Sequence, residues 1–72
     1  MYYIVKKFRG NNDVEQYYTG ENNTNLLYSK DKSDAELFGS LDECYLRYKL
    51  MSIKLAEEHT TEYYLMINST EE

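Results

Sequence analysis

The hydropathy pattern predicts an α+β protein, a two-layer sandwich in the order β-β-β-α-β with one long helix packed on one face of an antiparallel sheet. Three observations lead there. Apolar residues alternate with period two in four short segments. The tetrapeptide Ser40-Leu41-Asp42-Glu43 is a capping box that opens a stretch of helical period. Clusters of Gly and Asn separate the first three alternating segments at the spacing a meander needs.

The first strand is YYIVKKF, residues 2–8, with Tyr2, Ile4 and Phe8 on one side and Tyr3, Val5, Lys7 and Arg9 on the other. RGNND follows as a turn, since Gly and Asn tolerate positive φ. Residues 14–19, VEQYYT, make the second strand and pair antiparallel with the first; Gly20-Glu21-Asn22-Asn23 breaks the chain again, and residues 25–29 form the third strand. In the charged stretch 30–40, a helical turn is expected at 33–36, capped by Ser33 and Glu36 and ended by a left-handed Gly39. From Leu41 the spacing puts Leu41, Cys44, Tyr45, Tyr48, Met51 and Leu55 on the face that meets the sheet. Leu46, Leu50 and Ile53 fall on the opposite side as a second apolar stripe. The helix fades by Glu58 or His59, before the β-branched Thr60 and Thr61. Tyr63, Leu65 and Ile67 then alternate with Glu62, Tyr64 and Met66 in a fourth strand, and 68–72 form a frayed tail.

Composition narrows the function. The 72 residues suffice for one domain, 1–72, and carry 8 basic against 13 acidic side chains, a net charge of −5. A chain this short leaves little interior for a cofactor or a closed active site. One cysteine and one histidine supply neither a disulfide nor a metal cluster, so the reading is non-enzymatic, with no cofactor and no metal site. Cys44 reads as a small core hydrophobe, and His59 as a helix-end residue favoured by the dipole. No nucleophile elbow or glycine-rich phosphate loop occurs. No apolar run is long enough to span a bilayer and no signal peptide is evident, which implies a cytoplasmic protein without a membrane partner. Nine tyrosines exceed what a small core absorbs, so Tyr3, Tyr17 and Tyr64, with Val5, Leu27 and Met66, are expected on the sheet's outer face. Stacked rings could bind single-stranded nucleic acid only in a positive groove, and the net charge argues against direct nucleic-acid binding.

The acids suggest a partner instead. Asp31, Asp34, Glu36, Asp42 and Glu43 fall close together, and Glu57, Glu58, Glu62, Glu71 and Glu72 crowd the C-terminal end, so the field selects basic protein surfaces. Residues 31–44, DKSDAELFGSLDEC, resemble short phage-encoded β-β-β-α-β accessory proteins, with Ala35 and Phe38 as core plugs and Ser40 with Glu43 as cap. The small, acidic, tyrosine-rich profile looks like the host-takeover inhibitors of phages, some of which imitate DNA. That resemblance implies an inhibitor that occupies the nucleic-acid site of a basic DNA-binding protein of the host, an HU-like nucleoid protein first. The expected binding residues are Asp31, Asp34, Glu36, Asp42, Glu43, Glu57, Glu58 and Glu62, with Leu46, Leu50 and Ile53 as an apolar centre. The alternative is a self-associating assembly module, a homodimer formed through the tyrosine-rich sheet face or the Leu46/Leu50/Ile53 stripe.

Overall fold

β1 (Tyr2–Phe8) turns through Arg9 and Gly10 into β2 (Asn11–Asn22), which turns back as β3 (Asn25–Ser29). A 3-10 turn at Lys32–Asp34 and an extended passage lead to α1 (Leu41–Glu57), and β4 (Tyr63–Ser69) is the last element. The fold is the expected α+β arrangement, one antiparallel sheet in the order β3-β2-β1-β4 with α1 against β1 and β4. It is described in a computed structural model that covers residues 1–23, 25–59 and 61–71. Thr60 and Glu72, assigned above to the helix end and the acidic tail, lie outside the described residues.

The first hairpin is tighter than RGNND suggested. Phe8 pairs with Asn11, so only Arg9 and Gly10 form the loop, and Gly10 takes φ 81, which costs a glycine nothing. β2 is also longer than the alternation implied, because Gly20 does not end it. Register slips between Tyr18 and Gly20, where Gly20 adopts φ 144, and the strand continues to Asn22; Asn23, at φ 58, enters the turn.

The slip has a structural cost that another segment meets. Pairing between β1 and β2 runs only as far as Val5 and Tyr17, after which β2 stays with β3 alone. Residues 36–38 fill the gap. The Glu36 N–H donates to the Tyr18 carbonyl at 2.9 Å, and Tyr2 and Phe38 exchange backbone hydrogen bonds of 2.9 and 2.8 Å. The turn expected at 33–36 is therefore displaced to Lys32–Asp34. Ser33 does not cap it, and Gly39 is not left-handed.

The core sits between sheet and helix. Ile4, Tyr18 and Leu65 meet Cys44 and Met51, with Phe38 and Tyr48 packed at the margin. Ser40 caps α1 as expected, its hydroxyl accepting from the Glu43 N–H at 3.2 Å. The helix ends at Glu57, and His59 turns into the left-handed region at φ 56 just beyond it. The face that α1 buries is rotated from the expected one: Cys44 and Met51 are buried, whereas Leu41 and Tyr45 are about half exposed. The β2–β3 hairpin explains the rotation. Arg47 pairs with Glu21, and Lys54 and Leu55 line a cavity with Asn25 and Leu26, so the hairpin holds one flank of the helix and leaves Leu41 and Tyr45 exposed on the other.

Tyr3 and Val5 point away from the helix yet are buried, because Tyr17 and Met66 stand directly beside Val5 on the neighbouring strands and the Tyr17 ring lies 6.1 Å from that of Tyr3. Asn68 and Ser69 are not frayed. They pair with Tyr3 and Tyr2, and the Thr70 N–H donates to the Met1 carbonyl at 2.8 Å.

Candidate protein-docking surface

A helix of 17 residues spans about 25 Å and turns about 100° per residue, so residues at spacings of three and four share one face. On α1 this places Leu46, Leu50 and Ile53 opposite the buried Cys44 and Met51. They are 62%, 55% and 57% exposed, the most open large apolar side chains on the helix. The ridge expected from the sequence is thus present and points away from the sheet. Beside it a shallow groove of about 230 Å³ runs between Phe38, Glu43, Leu46, Arg47 and Leu50.

The acids do not form one row. Asp42 and Glu43 lie in the first helical turn, where the dipole favours them, and Glu57, Glu58 and Glu62 gather at the opposite end. The two groups are separated by roughly 22 Å of helix. Between them stand Arg47, paired with Glu21, and Lys49, whose amine is 5.7 Å from the Tyr45 ring. Asp31, Asp34 and Glu36 are exposed but belong to the passage along the end of the sheet. The Ser29 hydroxyl donates to the Asp34 carboxylate at 2.7 Å, and the strand-like segment 36–38 separates Asp31 and Asp34 from the helix start. Of the expected binding residues, the structure unites Leu46, Leu50 and Ile53 with the acids at the two helix ends.

A second concavity was missed by the sequence reading. A cavity of about 360 Å³ opens between the second half of α1 and β3, lined by Lys6, Tyr28, Lys54, Leu55, Glu58 and Tyr63 among others. Lys6 occupies the inward position between Ile4 and Phe8, and its place in that alternation was the available signal. Its amine lies 3.9 Å from the Tyr63 ring centre and 4.4 Å from that of Tyr28. Burial lowers its pKa, partly opposed by Glu58. An aromatic box of this kind receives a cation, and here the chain's own lysine fills it, so the cavity reads as core rather than as a ligand site.

The remaining chemistry-bearing groups are dispersed. Cys44 is fully buried and burial raises its thiol pKa, the opposite of what a nucleophile needs. On the outer sheet face the Lys7 ammonium binds the Glu15 carboxylate, which also accepts from the Tyr17 hydroxyl at 3.0 Å; these two contacts hold the Glu15 carboxyl below its usual range. Among the described residues no group of His, Cys, Asp or Glu side chains could hold a metal ion, and no helix is long and apolar enough to cross a membrane. Comparison with family models, curated proteins and solved structures found no match.

Proposed function

We propose that the chain is a non-enzymatic inhibitor of the phage type that docks the outward face of α1 on a basic DNA-binding protein inside a bacterial cell and covers the surface which that protein offers to nucleic acid. One observation carries the reading: an exposed apolar ridge, Leu46, Leu50 and Ile53, bracketed at both ends by carboxylates. An apolar centre with a charged rim is the anatomy of a specific protein interface. The rim's sign favours a basic partner.

Self-association through the same ridge is less well supported on electrostatic grounds. If two ridges met with antiparallel helices, Asp42 and Glu43 of one copy would face Glu57 and Glu58 of the other. With parallel helices each acidic end would meet itself. Either arrangement opposes like charges. The outer sheet face is also a poor apolar interface, since Tyr3 is buried and the Lys7–Glu15 pair interrupts the exposed Leu27, Tyr64 and Met66.

The test is competition for a purified HU-type nucleoid protein bound to a short labelled duplex. The unmodified chain is expected to release the DNA stoichiometrically. Replacing Asp42, Glu43, Glu57 and Glu58 by their amides is expected to weaken competition at least tenfold with the circular dichroism spectrum unchanged. Leu50→Lys, at an exposed position, is expected to abolish it by forcing a charge into the interface. Retention of DNA by the nucleoid protein at saturating chain, or full competition by the amide variant, refutes the proposal.

A further inference from the structure

We infer that β4 is a self-association edge, at which a second copy of the chain pairs antiparallel with β4 to give one continuous eight-stranded sheet carrying two helices side by side. β4 is one of the two edge strands of the sheet, and its seven residues, YYLMINS, contain no charge, proline or register slip against β1. Such an edge is a template for another strand unless something blunts it.

The backbone shows which groups are on offer. The Arg9 N–H donates to the Glu62 carbonyl and the Thr70 N–H to the Met1 carbonyl, each at 2.8 Å. In an antiparallel ladder the direction of these groups alternates along the strand. The even-numbered residues of β4 therefore face β1, and Tyr63, Leu65, Ile67 and Ser69 turn their N–H and C=O groups to the open edge.

The edge is complementary to itself. With Met66 on the two-fold axis, Leu65 stands opposite Ile67 of the second copy, Tyr64 opposite Asn68 and Tyr63 opposite Ser69. This register uses the whole strand, keeps the same faces together and opposes no two charged side chains within the strands.

The helix fits the same symmetry. A two-fold perpendicular to the sheet puts both helices on one face, antiparallel. Because α1 packs over β1 and β4, strands spaced about 4.8 Å apart place the two helix axes about 10 Å from each other, within the range in which helices pack. The flank that would meet carries Leu41 and Tyr45, 51% and 52% exposed, with the smaller Ser52 and Ala56 further along. Antiparallel helices bring the large pair of one copy against the small pair of the other. Lys49 borders this flank, and its amine sits by the Tyr45 ring. Among the described residues an open ladder and an exposed apolar helix flank coincide at β4 alone, which is why a second copy, rather than an extended peptide, is the occupant. The Leu46/Leu50/Ile53 ridge remains free in the dimer, and the inference does not depend on the proposed function.

The experiment is sedimentation of the full chain over a concentration series, with hydrogen exchange read amide by amide. The expected species has twice the mass of the 8.6 kDa chain, and the Tyr63, Leu65, Ile67 and Ser69 amides gain protection as it forms. Met66→Lys, at a position already 38% exposed, is expected to stay monomeric while keeping the circular dichroism spectrum of the folded chain. Tyr45→Lys is expected to weaken the dimer at least tenfold. A single-chain mass at every concentration overturns the inference, as does a dimer whose four odd-numbered amides exchange at solvent rates, which would mean that another face or partner is used. Should Met66→Lys fail to fold, the amide pattern of the unmodified chain decides alone.

Discussion

Tyr28 shows how one side chain can serve the core and strain it. Its ring stands edge-on to Tyr18 at 6.4 Å and beneath the Lys6 amine, while its hydroxyl is buried without a hydrogen-bond partner among the described residues. Burial drives the phenol pKa upward. A buried hydroxyl left unpaired costs about 1–3 kcal/mol, so Tyr28→Phe, which keeps the ring, is expected to stabilise the fold by about 1 kcal/mol. Urea unfolding at neutral pH checks this, with the midpoint rising at constant slope; a lower midpoint would mean that the hydroxyl has a bonding role. Much at this scale was legible. Cys44, Met51 and Leu65 were placed in the core by period alone, and Leu46, Leu50 and Ile53 on the surface. Tyr3 and Val5 were placed correctly on the outer face, but their burial was not legible, because alternation names the face of a strand and only the cross-strand neighbours decide whether that face is covered.

Among the elements, α1 was the most readable, since cap, period and end are local features. The second strand was not. Gly20 looks like a breaker, and only pairing with β3 reveals that it lies at a slip inside a longer strand. The same long-range origin underlies the rotation of α1: the Arg47–Glu21 pair joins residues far apart in sequence, and no helical wheel contains it. The two readings of glycine separate experimentally. A methyl group at Gly20 or Gly39 meets nothing within 4 Å, so any cost is one of backbone conformation. Gly20→Ala, at φ 144, is expected to lose about 1–3 kcal/mol. Gly39→Ala, with no positive φ to maintain, is expected to gain about 0.4–1 kcal/mol by restricting the unfolded chain. Thermal melts of both variants make the comparison, and equal effects would remove the slip as the reason for Gly20.

For the molecule as a whole, the charge of −5 acts on the two associations with opposite sign. Two identical acidic chains repel, so pairing at β4 should tighten as salt screens them. Docking of the acidic helix ends on a basic partner should weaken over the same range. Sedimentation and competition measured across one salt series are expected to diverge; parallel trends would assign both events to one kind of surface. The net charge and the two acidic groups were read directly from the sequence, but the separation of Asp31 and Asp34 from the helix start required the fold. Added length is not tolerated equally along the chain. The chain has three connections between β1 and α1, and two of them, Arg9–Gly10 and the turn after Asn22, lead only from a strand to its neighbour. The third, although irregular, stitches Tyr2 to Tyr18 through Phe38 and Glu36 and so acts as part of the sheet. Extra residues at either hairpin tip lengthen a loop at small entropic cost, whereas residues inserted within 36–38 would unpick the seam between β1 and β2, leaving the least strand-like stretch of the chain as the one with the most fixed length.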